Sequence, residues 1–388
     1  MPANALIVHG GAPTAVINAS LYGAICEARN HPVISCFYGA VGGSGAIVRE
    51  DFIDLFTVSE EKLALLPYTP ASAIGTSRDP LEQEDYDQIA AVLKKRDIRY
   101  VFFTGGNGSM DTCGKVYHAC QRAGLDACVV GIPKTIDNDI SATDHAPGYG
   151  SMARYIAATT SEVSQDIRAL PIHVSVLETM GRNAGWITAA SALSRTESGD
   201  GPDLIYLPER AFDPIRFLED VERIRKHKNG ILVVASEGLR GKDGKPIVDP
   251  IFQVGRSVYY GDVGSHLANL VIKELGIKAR SEKPGICSRA SIAFQSDVDR
   301  DEAITAGREA VKAAVAGYTG VMVGFDRVPG TVYGVTTRLI PVEQVMLEER
   351  VLPDCFINEA GNDVTDAFVD WCRPLIGGPL RQFVSFRR

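Results

Sequence analysis

One short turn of this chain holds a lysine and two carboxylates: Pro133-Lys134-Thr135-Ile136-Asp137-Asn138-Asp139. Carboxylates two residues apart suit a division of labour, one accepting a proton and the other holding Mg2+. A solvated, Asx-rich turn would not need a lysine flanked by apolar residues. Two further loops, Gly10-Gly11 and Gly105-Gly106-Asn107-Gly108, can bring backbone N–H groups close to phosphate oxygens at a helix N-terminus. Neither is the full G-x-G-x-x-G fingerprint nor G-x-x-x-x-G-K-[ST], and each alone is equally a tight strand-to-helix turn. Taken together, the three loops make phosphoryl transfer the leading chemistry.

The elements that must position these loops are short apolar runs alternating with helical patterns. The runs are Ala5 to His9, Tyr100 to Thr104, Cys128 to Ile132, His173 to Leu177, Leu204 to Leu207, Ile231 to Ala235 and Val321 to Phe325. Runs this apolar are buried on both faces, which predicts a parallel sheet covered by helices, an α/β doubly wound fold. Helical patterns follow from about Thr14 to Arg29 and, after the loop Gly105–Gly108, in a stretch ending near Gly124. The three polar loops then fall at the C-terminal ends of strands, where open α/β sheets bind ligands. The glycine-rich region from His145 to Ser151 is the expected crossing to a second lobe. Residues 328–388, with Pro329, Pro341, Pro353 and Pro374, carry no readable motif and are expected to complete the second lobe or to form an oligomer contact.

The 388 residues carry 40 Lys+Arg against 48 Asp+Glu, a formal charge of −8, with no basic stretch. That argues against a nucleic-acid partner and requires a local basic pocket for any anionic substrate. No run approaches ~18 apolar residues, so no membrane association is expected. The start, MPANALIVHGG, has no basic segment followed by a long apolar one. Eight dispersed cysteines, never spaced C-x-x-C, read as reduced thiols of a cytoplasmic protein.

The motifs HGGAPTAVINAS, FFTGGNGSMDT, GIPKTIDNDI, PGYGSMARYIA, VLETMGRNAGW, LPERAFD, VVASEGLRG and ICSRAS stand in this order between residue 5 and about residue 320. In content and order the chain resembles the phosphofructokinase family, which includes ATP- and pyrophosphate-dependent enzymes. The resemblance implies two doubly wound α/β lobes with largely parallel sheets and the active site in the cleft between them. Residues 1–148 plus 289–340 would form the phosphoryl-donor lobe, and 149–288 plus 341–388 the sugar-phosphate lobe. It implies Mg2+-dependent transfer to the 1-hydroxyl of fructose 6-phosphate or a related ketose phosphate, by a homo-dimer or homo-tetramer. Asp137 would be the base, acting with Lys134 and Arg182. Gly10, Gly11, Arg78, Gly106, Asn107, Gly108 and Ser109 would bind the donor, and Asp139 and Asn107 the metal. Thr135, Asp137, Met180, Gly181, Arg182, Glu237, Arg280, Arg289 and His173 would bind the acceptor.

Four positions depart from the family pattern. His173 stands where Arg is usual, and Ile286 where His or Tyr is usual, so the terminal phosphate pocket has fewer donors. A variant acceptor such as tagatose 6-phosphate or sedoheptulose 7-phosphate is then open. Asn107 replaces a common Asp beside the metal. Gly108 leaves room for the α-phosphate of ATP, and on that ground ATP is the expected donor; Lys134 is the pyrophosphate-type residue and points the other way. A non-catalytic regulatory subunit, suggested by Asn107 and His173, is disfavoured by the intact Asp137 and Asp139.

Overall fold

The structure, a computed structural model, describes residues 2–170, 174–197, 199–254, 257–346, 348–384 and 386. The chain divides into two compact units, Met1–Ser151 with Arg289–Arg350, and Met152–Ser288 with Val351–Arg388.

The strands in chain order are β1 (Ala3–His9), β2 (Ile34–Ala40), β3 (Phe52–Asp54), β4 (Ile98–Gly105), β5 (Cys128–Pro133), β6 (Val174–Thr179), β7 (Leu204–Tyr206), β8 (Ile231–Ser236), β9 (Pro250–Val254), β10 (Ser257–Tyr260), β11 (Ala279–Glu282), β12 (Val321–Arg327) and β13 (Val335–Pro341). Among the described residues, the first unit is built on a seven-stranded sheet of order β13-β12-β5-β4-β1-β2-β3. Its central strands are parallel; β3 and β13 close the two edges antiparallel.

Alternation along the central strands explains why they read as unbroken apolar runs. Leu6, Val8, Val101, Phe103 and Val129 face one layer, with Ile89 and Leu93 of the helix Gln83–Lys95 and Met110 and Val116 of the helix Asn107–Arg122. Ala5, Ile7, Phe102 and Val130 face the other, with Leu21 and Ile25 of the helix Ile17–Ala28 and Ala310 and Val311 of the helix Asp297–Val315. Both faces are dry, as a sheet covered by helices requires.

The second unit carries the sheet β11-β6-β8-β7, all parallel, and the antiparallel pair β9–β10. Val174, Val176, Ile231 and Val233 pack on Phe217, Val221, Leu267 and Val271, while Leu177, Leu232 and Val234 meet Ile167 on the opposite face. The fold is thus α/β with mainly parallel sheets in both units, as expected.

The last sixty residues split. β13 and the turn after it stay with the first unit, because Val342 and Val345 are buried in its core and Arg350 N–H donates to Asp139 O at 2.8 Å. Residues after 350 belong to the second unit, where Phe356, Phe368 and Trp371 pack around the buried Trp186, its ring 4.9 Å from that of Trp371.

Candidate active site

In the first unit, strand order alone brings the three polar loops together. β5, β4 and β1 are adjacent and parallel, so the loops leaving their C-terminal ends lie side by side. Lys134 N–H donates to Gly105 O at 3.0 Å and Gly10 N–H to Thr104 O at 2.9 Å, tying the loops at their roots. Gly11 N–H donates to Ser77 O at 2.8 Å, which places the exposed Arg78 next to the first loop. Ser109 packs so closely that its Oγ would lie 2.3 Å from a Cβ at Gly10 and 2.0 Å from one at Gly105; only glycine fits at either place. Gly106 is the N-cap of the helix that starts at Asn107, so its first N–H groups face the loop cluster.

Lys134 is buried, and its Nζ donates to Ala12 O of the first loop at 2.6 Å. Burial pushes its ammonium down to about 8; the Asp137 and Asp139 charges resist that fall, and those of Arg78 and Arg289 add to it. Arg289, on the short helix Ile286–Ala290, therefore shares an electrostatic field with Lys134. Beneath the first loop, burial and then the Lys134 charge push the His9 imidazole down to about 3. Its Nδ1 meets Ser72 Oγ at 2.8 Å, and Ser72 donates onward to Gly75 O at 2.7 Å. A neutral His9 leaves Lys134 as the buried cation at that point.

The Asp139 carboxylate is held from both sides. Thr135 Oγ1 donates to Asp139 Oδ1 at 2.7 Å and accepts from Asp137 N–H at 3.1 Å. Asn107 Nδ2 donates to Asp139 Oδ2 at 2.9 Å and to Asp139 O at 3.1 Å. That fixes the Asn107 amide and leaves Oδ1 buried and without a hydrogen-bond partner. An orphaned amide oxygen beside a carboxylate is a hard oxygen pair. Mg2+ commonly takes one or two such protein ligands and completes its shell with phosphate oxygens and water, so these residues fit that ion. Asn107 in place of Asp thus lowers the charge without removing the oxygen. At Gly108 a Cβ would point into open space.

In the second unit, β6 delivers Met180-Gly181-Arg182 and β8 delivers Glu237 from neighbouring parallel strands. Glu237 N–H donates to Thr179 O at 2.9 Å, and Ser236 Oγ donates to Gly181 O at 2.7 Å. Arg182 and Glu237 line one polar pocket with Glu178, Tyr260 and Lys283. Burial raises the Glu237 carboxyl, and the Arg182 and Lys283 charges counter it. Glu178 and Lys283 were not legible as site residues, although Glu178 lies within VLETMGRNAGW and Lys283 just before ICSRAS. Glu178 is buried, accepts from Gly264 N–H at 2.7 Å, and its Oε1 lies 2.8 Å from Lys283 Nζ, which also pairs with Asp262 at 2.7 Å. Arg280, on the edge strand β11, is exposed and lines a neighbouring groove with Tyr155, Glu162 and Cys287 rather than the Arg182 pocket. Lys283 borders both. His173 lies outside the described residues. No helix among the described residues is long and apolar enough to cross a membrane.

The family model described as Phosphofructokinase matches residues 4–314. The pyrophosphate–fructose 6-phosphate 1-phosphotransferase of Rhodospirillum rubrum is 38% identical over 382 residues, covering 96% of this chain and 94% of its own. The sulfofructose kinase of Alkalicoccus urumqiensis is 33% identical over 376 residues, covering 96% and 95%. A crystal structure of pyrophosphate-dependent phosphofructokinase from Nitrosospira multiformis is similar with a TM-score of 0.90 at 35% identity, over 99% of this chain and 94% of that one.

Proposed function

The chain belongs to the phosphofructokinase family of phosphotransferases, and from that membership we propose that it transfers a phosphoryl group from inorganic pyrophosphate to the 1-hydroxyl of fructose 6-phosphate. The observation that carries the donor assignment is Lys134. Pyrophosphate has no base or ribose, so its binding rests wholly on phosphate contacts, and a buried ammonium among three loops of backbone N–H groups supplies them. The relatives named for pyrophosphate, similar over nearly the whole chain, support the same choice.

In this reading Asp137 accepts the proton of the 1-hydroxyl as the oxygen attacks. Lys134, Arg78 and Arg289 place positive charge around the moving phosphoryl group, where most of the catalytic gain arises. Thr135 and Asn107 keep the Asp139 carboxylate oriented, and Thr135 also holds the Asp137 N–H. Mg2+ held by Asp139 and Asn107 Oδ1 would neutralise charge on the phosphates when bound. In the second unit, Met180, Gly181, Arg182 and Glu237 bind the sugar phosphate, and Arg280 serves its distal phosphate. We place the enzyme in the cytoplasm, where its eight dispersed cysteines would stay reduced, and infer a homo-oligomer from the family resemblance alone.

The open space at Gly108 admits ATP sterically but supplies no contact that would require it, so it ranks below Lys134. A second reading concerns the acceptor. Ile286 is 66% exposed where the family usually has a polar residue, and Lys283 is already matched by two carboxylates. Less positive charge is thus left for a dianion, which suits the monoanionic sulfonate of sulfofructose, the substrate named for one relative.

Steady-state assays with Mg2+, each donor and each ketose test both points. We expect kcat/KM with pyrophosphate and fructose 6-phosphate to exceed that with ATP by ~10²-fold or more, about 3 kcal/mol of differential transition-state binding. Turnover with ATP alone overturns the donor assignment. A higher kcat/KM for sulfofructose than for fructose 6-phosphate installs the second reading.

A further inference from the structure

Behind the Pro133–Asp139 turn lies a buried ionic cluster that the reaction itself does not use. We propose that Glu302 and His145 are positioning residues for phosphoryl transfer, holding that turn through the segment 143–148; the proposal rests on the function assigned above.

The segment is bonded to the turn at successive points. Thr135 N–H donates to Pro147 O at 3.1 Å, and Ala146 N–H donates to Asn138 Oδ1 at 3.2 Å. Arg350 spans both, its N–H on Asp139 O at 2.8 Å and its guanidinium on Asp144 O at 2.8 Å and on Thr143 O. Asn138 is buried and left-handed, with φ of 52°, between the two carboxylates. Such backbone persists in a non-glycine residue only when its surroundings fix it, and the Ala146 bond supplies that restraint.

The helix Asp297–Val315 grips the far side of the segment. Asp299 accepts from Gly148 N–H at 2.8 Å and from Ser151 N–H and Oγ–H at 2.8 and 2.5 Å. One turn later, Glu302 Oε2 lies 2.7 Å from His145 Nε2, and its Oε1 accepts from Tyr333 OH at 2.6 Å. His145 Nδ1 lies 2.8 Å from Asp144 Oδ2, and Arg327 pairs with Asp144 at 3.2 Å. Burial lowers the imidazole, but its bonds to Asp144 and Glu302 outweigh that and hold it up to about 9, so both ring nitrogens donate. His145 is 1% exposed, and its ring stacks on Phe325 at 5.5 Å.

A buried ionic cluster is a weak means of stabilising a fold compared with apolar packing. What this one does supply is direction, because its bonds end on the segment 144–151, which is bonded in turn to Thr135 N–H and to the Asn138 side chain beside Asp137 and Asp139. Misplacement of reacting groups by ~1 Å can cost about 10²-fold in rate.

Glu302→Gln in the full chain keeps the shape and removes the charge. It should lower kcat with pyrophosphate and fructose 6-phosphate by ~10-fold, leave KM for the sugar within about twofold, and speed amide exchange in peptides covering 133–150. Tyr333→Phe, which deletes the hydroxyl's bond to Glu302 and its longer 3.4 Å contact with His145 Nε2 from a half-buried residue, should lower kcat by ~3-fold. If Glu302→Gln melts at a lower temperature but keeps the wild-type kcat, the cluster is structural only and the proposal fails. Should that variant not fold, Tyr333→Phe with unchanged kcat and exchange is the overturning result. A wild-type enzyme inactive on these substrates would defeat the functional reading instead, and the exchange comparison would still judge the clamp.

Discussion

Asp137→Asn is expected to lower kcat by ~10²-fold or more while leaving KM for the sugar phosphate within about threefold. The amide keeps the volume of the carboxylate and the backbone bond from Asp137 N–H to Thr135 Oγ1, so the turn should retain its form. What is lost is the group proposed to take the proton as the 1-hydroxyl attacks. Metal binding should survive as well, since the oxygens assigned to it belong to Asp139 and Asn107. Initial-rate kinetics over both substrates check this; near-normal kcat would remove Asp137 from the base role.

The second large effect is at Lys134. Lys134→Met fills the same buried space with a neutral side chain, so the fold should tolerate it. The donor should not: we expect kcat/KM for pyrophosphate to fall by ~10²–10³-fold, with KM for the sugar little changed. The pH profile carries a second signature. The lysine acts as a cation, and burial has brought its free-enzyme value down to about 8, so the protonated form is depleted as pH rises through 8. kcat/KM for pyrophosphate should therefore decline on the alkaline side in the wild type, and Lys134→Met should lack that limb. A wild-type profile flat to pH 9.5 would show that the ammonium contributes nothing to donor capture.

Much of the donor side was legible because its chemistry is local. A lysine, two carboxylates and a threonine fall within five residues of one another, and β1, β4 and β5 read as unbroken apolar runs because both faces of each are covered. Short edge strands left no such trace. β3 and β11 are half solvated, so their side chains follow no continuous apolar pattern, and Arg280 was placed by resemblance without its strand being seen. The third crossing between units was read at residue 341 and lies after Arg350, because two buried valines and one backbone bond hold the intervening turn to the first unit. The His145–Glu302 contact joins residues 157 apart in sequence, and nothing local in HAPG or in the helix announces it. Polar residues that act through tertiary partners are the hardest to read, since each alone resembles a surface residue or a cap.

The central claim, that pyrophosphate donates to C1 of a ketose 6-phosphate, is tested most directly by following the phosphorus atoms. Wild-type enzyme with Mg2+, pyrophosphate and fructose 6-phosphate should yield, by 31P NMR, one new C1 phosphate monoester and one orthophosphate for each pyrophosphate consumed. Orthophosphate released without the ester, or ester formed only when ATP replaces pyrophosphate, would contradict the account.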